Sequence, residues 1–189
     1  MAATAQAIID EATRKKLIDL SEISLWLDTY DDIFSDFDPR PYSERALSDD
    51  FVTEAKRASR DKVSGNLELN LLIPIKMRNL HYENLIKKRL KEHFKKHYHR
   101  HLSDKSTIVN RGLKFVGLGV ITMLVTTYIL HQMPDSEFIW SFLVVLFEPA
   151  GWFLFWEGMN QVIFESKTIS PDLEFYEKMS KCEIQFIEY

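Results

Sequence analysis

The chain has 189 residues, 46% of them hydrophobic and 28% charged, with a net charge of −4 and a single cysteine. Beyond any membrane segment that length holds one small domain, and the lone Cys182 excludes an intrachain disulfide and a cysteine-based metal cage, as expected in a reducing compartment. The near-neutral total conceals an asymmetry: residues 1–80 carry 11 basic and 15 acidic side chains, residues 159–189 carry 3 and 6, and ten Lys or Arg fall between Lys87 and Lys114.

The first residues place Asp10, Glu11, Arg14, Lys15 and Lys16 where a secretory signal needs an unbroken apolar core. No signal peptide is expected, so the first apolar helix should target the chain. Ile8, Ile9, Ala12, Leu17 and Leu20 predict an amphipathic helix over 4–20. Ile23, Leu25 and Leu27 then alternate with polar or exposed partners, the period of a strand packed on one face. An acidic, aromatic loop follows from Asp28 to Tyr42, closed by two prolines that forbid regular structure. Ser48 is a good N-cap for a helix to about Arg60, with Asp49 and Asp50 at its positive end and Lys56, Arg57 and Arg60 at its negative end. Leu67, Leu69, Leu71, Ile73 and Ile75 recur at every second position, a clear strand signal, and Pro74 marks a sheet edge or a strand end.

From about 79 to 102 a basic helix is expected, carrying Tyr82, Ile86, Leu90, Phe94, Tyr98 and Leu102 at a spacing of four. Such a stripe drifts by about 40° per step, so it should wrap across its partner. Residues 103–110 look like a break before the next helix, although a continuous rod is compatible with the pattern.

Two apolar runs dominate the chain. Phe115–Leu130 is uncharged over sixteen residues, and Phe138–Trp156 is interrupted only by Glu148 and Pro149. At about 1.5 Å per residue they cover roughly 24 and 28 Å of a hydrocarbon layer about 30 Å thick. A central carboxylate costs about 2.5–3.5 kcal/mol on insertion, whereas each of the second run's Phe, Leu, Ile and Val residues returns about 0.3–0.6. The eleven such residues outweigh Glu148. The residues outside the runs are too few to enclose them as soluble core helices. Only Met133–Glu137 separates them, so antiparallel transmembrane helices over about 114–133 and 137–158 are expected. The cationic flank before the first run places both termini in the cytoplasm by the positive-inside rule.

Beyond the second run, Ser170 starts a short helix to about Lys181. Cys182, Ile184 and Phe186 then alternate with polar residues as a final strand. With both ends on one side, that strand is expected to join the other two in one sheet. The expected fold is therefore an α/β membrane protein: residues 1–110 a cytoplasmic α/β domain with a basic juxtamembrane helix, 111–158 a two-helix transmembrane hairpin, and 159–189 a cytoplasmic helix and strand packing back on the first domain.

Glu148 is the sharpest chemical signal, because an ionisable group at membrane depth marks an ion path, a proton relay or a polar contact that specifies assembly. Antiparallel pairing brings it near Thr122, Thr126 and Thr127 as polar neighbours. Glu157 is expected to form an ion pair with Arg111 and Lys114 at the inner interface. Gly117 and Gly119, with Ala150 and Gly151 opposite, permit close helix approach without a GxxxG spacing. Lys87, Lys88, Lys91, Lys95, Lys96 and Arg100 suit anionic lipid headgroups at about 1 kcal/mol each, and nucleic acid is not expected.

Asp36 and Asp38 in the acidic loop, and His93, His97 and His101 on successive turns, are ligand types for hard cations and zinc respectively. The loop lacks an ordered calcium-loop spacing, and the histidines lie among cations, so neither a metal nor a cofactor is expected. No phosphate loop, nucleophile elbow or HExxH motif occurs. The functional expectation is a non-enzymatic, homo-oligomeric anchor, scaffold or sensor of the inner or plasma membrane, with lipid and an unidentified protein as partners. An oligomeric channel or pore lined by Glu148 is the alternative, and a membrane-tethered metal-dependent enzyme the third.

Overall fold

A computed structural model describes residues 22–60, 62, 67–132 and 138–189. The predicted helix over 4–20 and the turn at 133–137 lie outside the described residues. The chain is mostly helical, with one small sheet, and divides into two compact units: residues 1–98 with 174–189, and residues 99–173.

The first unit contains β1 (Glu22–Trp26), a 3-10 turn (Tyr30–Ile33), α1 (Asp49–Ser59), β2 (Glu68–Ile73), the start of α2 (Leu80–Gln132), the end of α4 (Ser170–Lys181) and β3 (Glu183–Glu188). The strands form one sheet in the order β1-β2-β3, parallel throughout, with Ile23, Leu69 and Ile184 in register, and likewise Leu25, Leu71 and Phe186. Parallel neighbours need a crossover. α1 supplies it between β1 and β2, whereas β3 returns only after both long helices and α4. The C-terminal strand thus completes the sheet as its alternation suggests. β2 is central, so Pro74 marks a strand end, not an edge.

One face of this sheet forms the core. Leu67, Leu69, Leu71 and Ile73 meet Phe51 and Ala55 of α1, Ile86, Leu90 and Phe94 of α2, and Phe175 and Met179 of α4 in one buried cluster. The spacing-of-four stripe is buried only in its middle. Tyr82 and Leu102 are exposed at its ends, which is how a drifting stripe meets a short sheet.

The expected break over 103–110 is absent: α2 runs unbroken for 53 residues. No Gly or Pro occurs between Leu102 and Arg111, and two of the polar side chains bond within the helix. The Thr107 hydroxyl donates to the Ser103 carbonyl (2.9 Å), and the Asn110 amide to Ser106 Oγ (3.5 Å). The basic segment and the first apolar run are therefore parts of one helix, and the unit boundaries fall inside α2 and α4, where the sequence pattern suggests positions near 110 and 158.

In the second unit the end of α2 packs on α3 (Phe138–Asn160), which continues through a π-helical turn (Gln161–Glu165) and a short turn of α-helix (Ser166–Thr168). Two helices, Leu80–Gln132 and Phe138–Thr168, contain stretches long and apolar enough to cross a membrane. Gly112 lies against the Gly158 carbonyl, Gly119 against Gly151 and Phe155, and Gly151 against Met123, so the paired stretches run antiparallel. A Cβ added at Gly119 would stand 2.6 Å from the Phe155 nitrogen, and one at Gly158 would stand 2.5 Å from the Gly112 oxygen. Backbone contact of this kind admits only glycine. Gly117, by contrast, faces open space.

Candidate functional site

Glu148 and Pro149 of α3 line a pocket of about 530 Å³ together with Met123, Thr126, Thr127 and Leu130 of α2 and Trp152 of α3. The antiparallel register brings these residues together. Thr126 is buried between the helices. Its hydroxyl donates to the Thr122 carbonyl, that of Thr127 to Met123 and that of Thr122 to Leu118, each at 2.9 Å. Each donor is therefore spent inside α2, and the oxygens remain as acceptors. Thr122 does not line the pocket. The result is an apolar recess with one carboxyl group, one indole and hydroxyl acceptors.

At the other end of the helix pair, Arg111 is held differently from the expected pair with Glu157. Its Nε donates to Gln161 Oε1 (2.9 Å), and Nη2 lies 3.2 Å from Glu165 Oε1. Gln161 is buried, and its amide nitrogen donates to Glu157 Oε1 at 2.9 Å. The amide thus links Arg111 to Glu157, while Glu165, two turns farther on, takes the ion pair. Lys114 is exposed. Gln161 goes unnoticed in the sequence, where its only mark is a spacing of four from Glu157.

Lys88, Lys91, Lys95, Lys96 and Arg100 are exposed on α2, on the side away from Ile86, Leu90 and Phe94. Lys88 is 3.9 Å from Glu92. Lys87 differs: it is half-buried, with its ammonium 5.8 Å from the Phe186 ring centre.

Part of the acidic loop's charge is paired by Arg40 and by Arg45 just beyond it. Arg40 grips Asp38 through Nε (2.9 Å) and Nη2 (2.7 Å), and the Ala46 N–H donates to the same carboxylate at 2.7 Å. These contacts, the Arg40 hydrogen bonds foremost, hold the Asp38 carboxyl well below the usual range. Arg45 takes Asp31 at 2.6 Å and lies 3.9 Å from Asp36. Asp32 receives the backbone N–H groups of Asp28 and Thr29. The imidazoles of His93 and His97 stack at 4.2 Å, and His97 stacks on Tyr176 at 5.1 Å. Rings stacked in near-parallel planes do not converge their nitrogen lone pairs on one ion. Among the described residues no group of three or more His, Cys, Asp or Glu side chains is gathered to hold a metal. Burial, assisted by His97, Arg89 and Lys96, pushes His93 down to about 4. Its buried Nε2 has no hydrogen-bond partner among the described residues.

A network that the sequence does not reveal lies at the carboxyl ends of the strands. Glu83 is buried at 2% exposure, and Arg78 meets it with two parallel bonds, Nε to Oε1 (2.9 Å) and Nη2 to Oε2 (3.0 Å). Arg78 Nη1 reaches Glu188 at 3.2 Å. The Tyr30 hydroxyl donates to Glu83 at 3.2 Å and accepts the Asn79 N–H at 2.8 Å. Burial alone would raise the Glu83 carboxyl, but the bonds and charge of Arg78 outweigh it and the net shift is downward. With all these partners in place, Glu83 ties the loop after β1 to the start of α2, and through Arg78 to the end of β3.

No protein-family model, curated protein or solved structure matches the chain.

Proposed function

We propose that this chain is a non-enzymatic integral membrane protein acting as a homo-oligomeric anchor, scaffold or sensor at the cytoplasmic face of an inner or plasma membrane. In this reading α2 and α3 form a two-helix transmembrane hairpin, and the parallel-sheet unit and both termini are cytoplasmic. One observation carries it. The helix pair turns its large apolar side chains outward, with Leu124 at 65%, Val145 at 70% and Phe153 at 66% exposure, and only lipid or further protein makes such a surface stable in a cell. The Lys and Arg side chains of α2 before Phe115, and none between Phe115 and Glu165, support the orientation. The sheet's carboxyl end, where α/β enzymes bind their ligands, is occupied by Arg78, Glu83 and Tyr30, which supports a non-enzymatic role.

Glu148 motivates self-association. It is exposed on the pair's surface, a carboxylate facing lipid is costly, and a second copy of the hairpin can shield it. The pocket that Glu148 shares with Thr126 and Thr127 favours one further reading, an oligomeric channel or pore with this recess in its lining.

Detergent-dependent extraction and reporters fused to each end test the topology. The expected result is a chain that requires detergent, with both reporters cytoplasmic; a monodisperse chain in plain buffer, or reporters on opposite sides, overturns it. Glu148→Gln in proteoliposomes separates the two roles: weakened assembly with no flux to lose supports the anchor, and intact assembly with ion flux abolished supports the channel.

A further inference from the structure

The recess beside Glu148 is one-sided in its hydrogen bonding. The Thr126 and Thr127 hydroxyls both donate inside α2, to the Thr122 and Met123 carbonyls, so each has only lone pairs left to offer. Pro149 lies inside α3 and has no N–H, which leaves the Val145 carbonyl, one turn back, without its helical donor. The Glu148 carboxylate adds further acceptors. Against these the lining supplies one side-chain donor, the indole N–H of Trp152, while Met123, Leu130 and the Pro149 ring are apolar. Acceptors set among apolar side chains call for an occupant that brings donors. A cation is favoured over a neutral donor on two grounds: the carboxylate is negative, and an indole face attracts positive charge. A second copy of the helix pair does not furnish it, because no Lys or Arg occurs between Phe115 and Glu165. Gly119 opposite Gly151 sets Glu148 level with Thr122, and His131 stands nine residues farther along α2, roughly 13 Å away along the axis. A hard metal ion fits no better, since it takes about six oxygen ligands and Met123, Leu130, Pro149 and Trp152 supply none.

We infer that the recess is a binding site for a lipophilic amine. A primary or secondary ammonium group hydrogen-bonds to Glu148 and to the Thr127 oxygen, and its apolar body lies against Met123, Leu130 and Trp152. At about 530 Å³ the recess has the volume of a small-ligand site. Thr127, Leu130, Glu148 and Trp152 are exposed, so its mouth is on the outer surface of the helix pair. In the membrane reading above, on which this site depends, that mouth opens to lipid, and a ligand with an apolar body reaches it from the bilayer. The ammonium group neutralises the one carboxylate that the hairpin exposes at depth, and it gives the sensor role a ligand.

Isothermal titration of the full chain in dodecyl maltoside with phenylbutylamine tests the site. Phenylbutanol serves as the uncharged analogue, and sedimentation in the same micelles reports assembly. The expected result is saturable binding of the amine, at least about tenfold tighter than the alcohol and weakened at least about tenfold by Glu148→Gln. Trp152→Leu keeps the carboxyl group and should weaken the amine about fivefold. Equal affinity for amine and alcohol, or a Glu148→Gln chain that binds the amine as well as the natural one, overturns the proposal. Either result in a chain that still requires detergent and still assembles leaves the anchor reading in place, whereas a chain monodisperse in plain buffer overturns both. Should Glu148→Gln fail to fold, the ratio of amine to alcohol affinity on the natural chain still decides.

Discussion

Arg78 and Glu83 face each other through two near-parallel N–H···O bonds of 2.9 and 3.0 Å, the bidentate geometry that guanidinium and carboxylate groups share. Because Glu83 is buried, removing the arginine strands a charge. Arg78→Met should cost about 3 kcal/mol, the lower end expected for breaking a buried pair, since Arg78 itself is partly exposed. Denaturant unfolding of the full chain in detergent measures the loss. The double variant Arg78→Met/Glu83→Gln should lose less than the sum of the single changes.

The same pair sets an acid limit. A carboxyl held below its ordinary 4.5 in the folded state stabilises the fold above that pH. The contribution disappears as pH falls through the lowered folded value. A plot of Tm against pH should therefore fall more steeply below pH 4.5 for the natural chain than for Glu83→Gln.

His93 adds a second pH dependence at a higher range. Burial disfavours its charged form, bringing it from an ordinary 6.5 to about 4. The unfolded chain thus binds the proton first on acidification. Stability is complete above about pH 6.5 and declines toward pH 4, below which both states are protonated. His93→Phe should flatten that part of the Tm profile; an unchanged slope would count against burial as its source.

Helix approach in the second unit is testable by a matched pair. A side chain at Gly119 must displace the Phe155 backbone, whereas a Cβ added at Gly117 meets nothing within 4 Å. We expect Gly119→Leu to destabilise the helix pair by about 1–3 kcal/mol and Gly117→Leu to be near neutral, as read by unfolding in mixed detergent micelles.

The exposed cations of α2 make a lipid prediction. Full-length protein purified in mild detergent should retain anionic phospholipid, detected by native mass spectrometry. Lys88→Gln/Lys91→Gln/Lys95→Gln/Lys96→Gln should lose it, at about 1 kcal/mol per charge. Retention should also weaken with added salt. Lys87, packed near the Phe186 ring, should contribute less to lipid than to the sheet unit.

Local pattern carried much of the architecture. Leu67, Leu69, Leu71 and Ile73 alternate because a strand shows its side chains to opposite faces in turn, and one face of this sheet is packed. Ser48 and the paired charges of α1 mark a helix whose observed bounds are Asp49–Ser59. Ser170 likewise marks the start of α4. The length and composition of the apolar runs show two helices able to cross a membrane. These properties reside in neighbouring residues, so a linear chain exposes them.

What the fold alone decided are relations between distant residues. Glu83 reads in the chain as one more charge at the start of a basic helix; in the fold it is buried, it accepts from Tyr30, 53 residues away, and its partner Arg78 also reaches Glu188 at the end of β3. The row of Glu22, Glu68 and Glu183 exists only because all three strands run parallel in one register. Arg111 meets Gln161 and Glu165 because α3 continues into a π-helical turn, and Gly112 meets Gly158 because two helices cross at that depth. Periodicity states which face of an element is apolar, but the side chain that faces it is chosen by packing, in which every neighbour's volume and charge act at once.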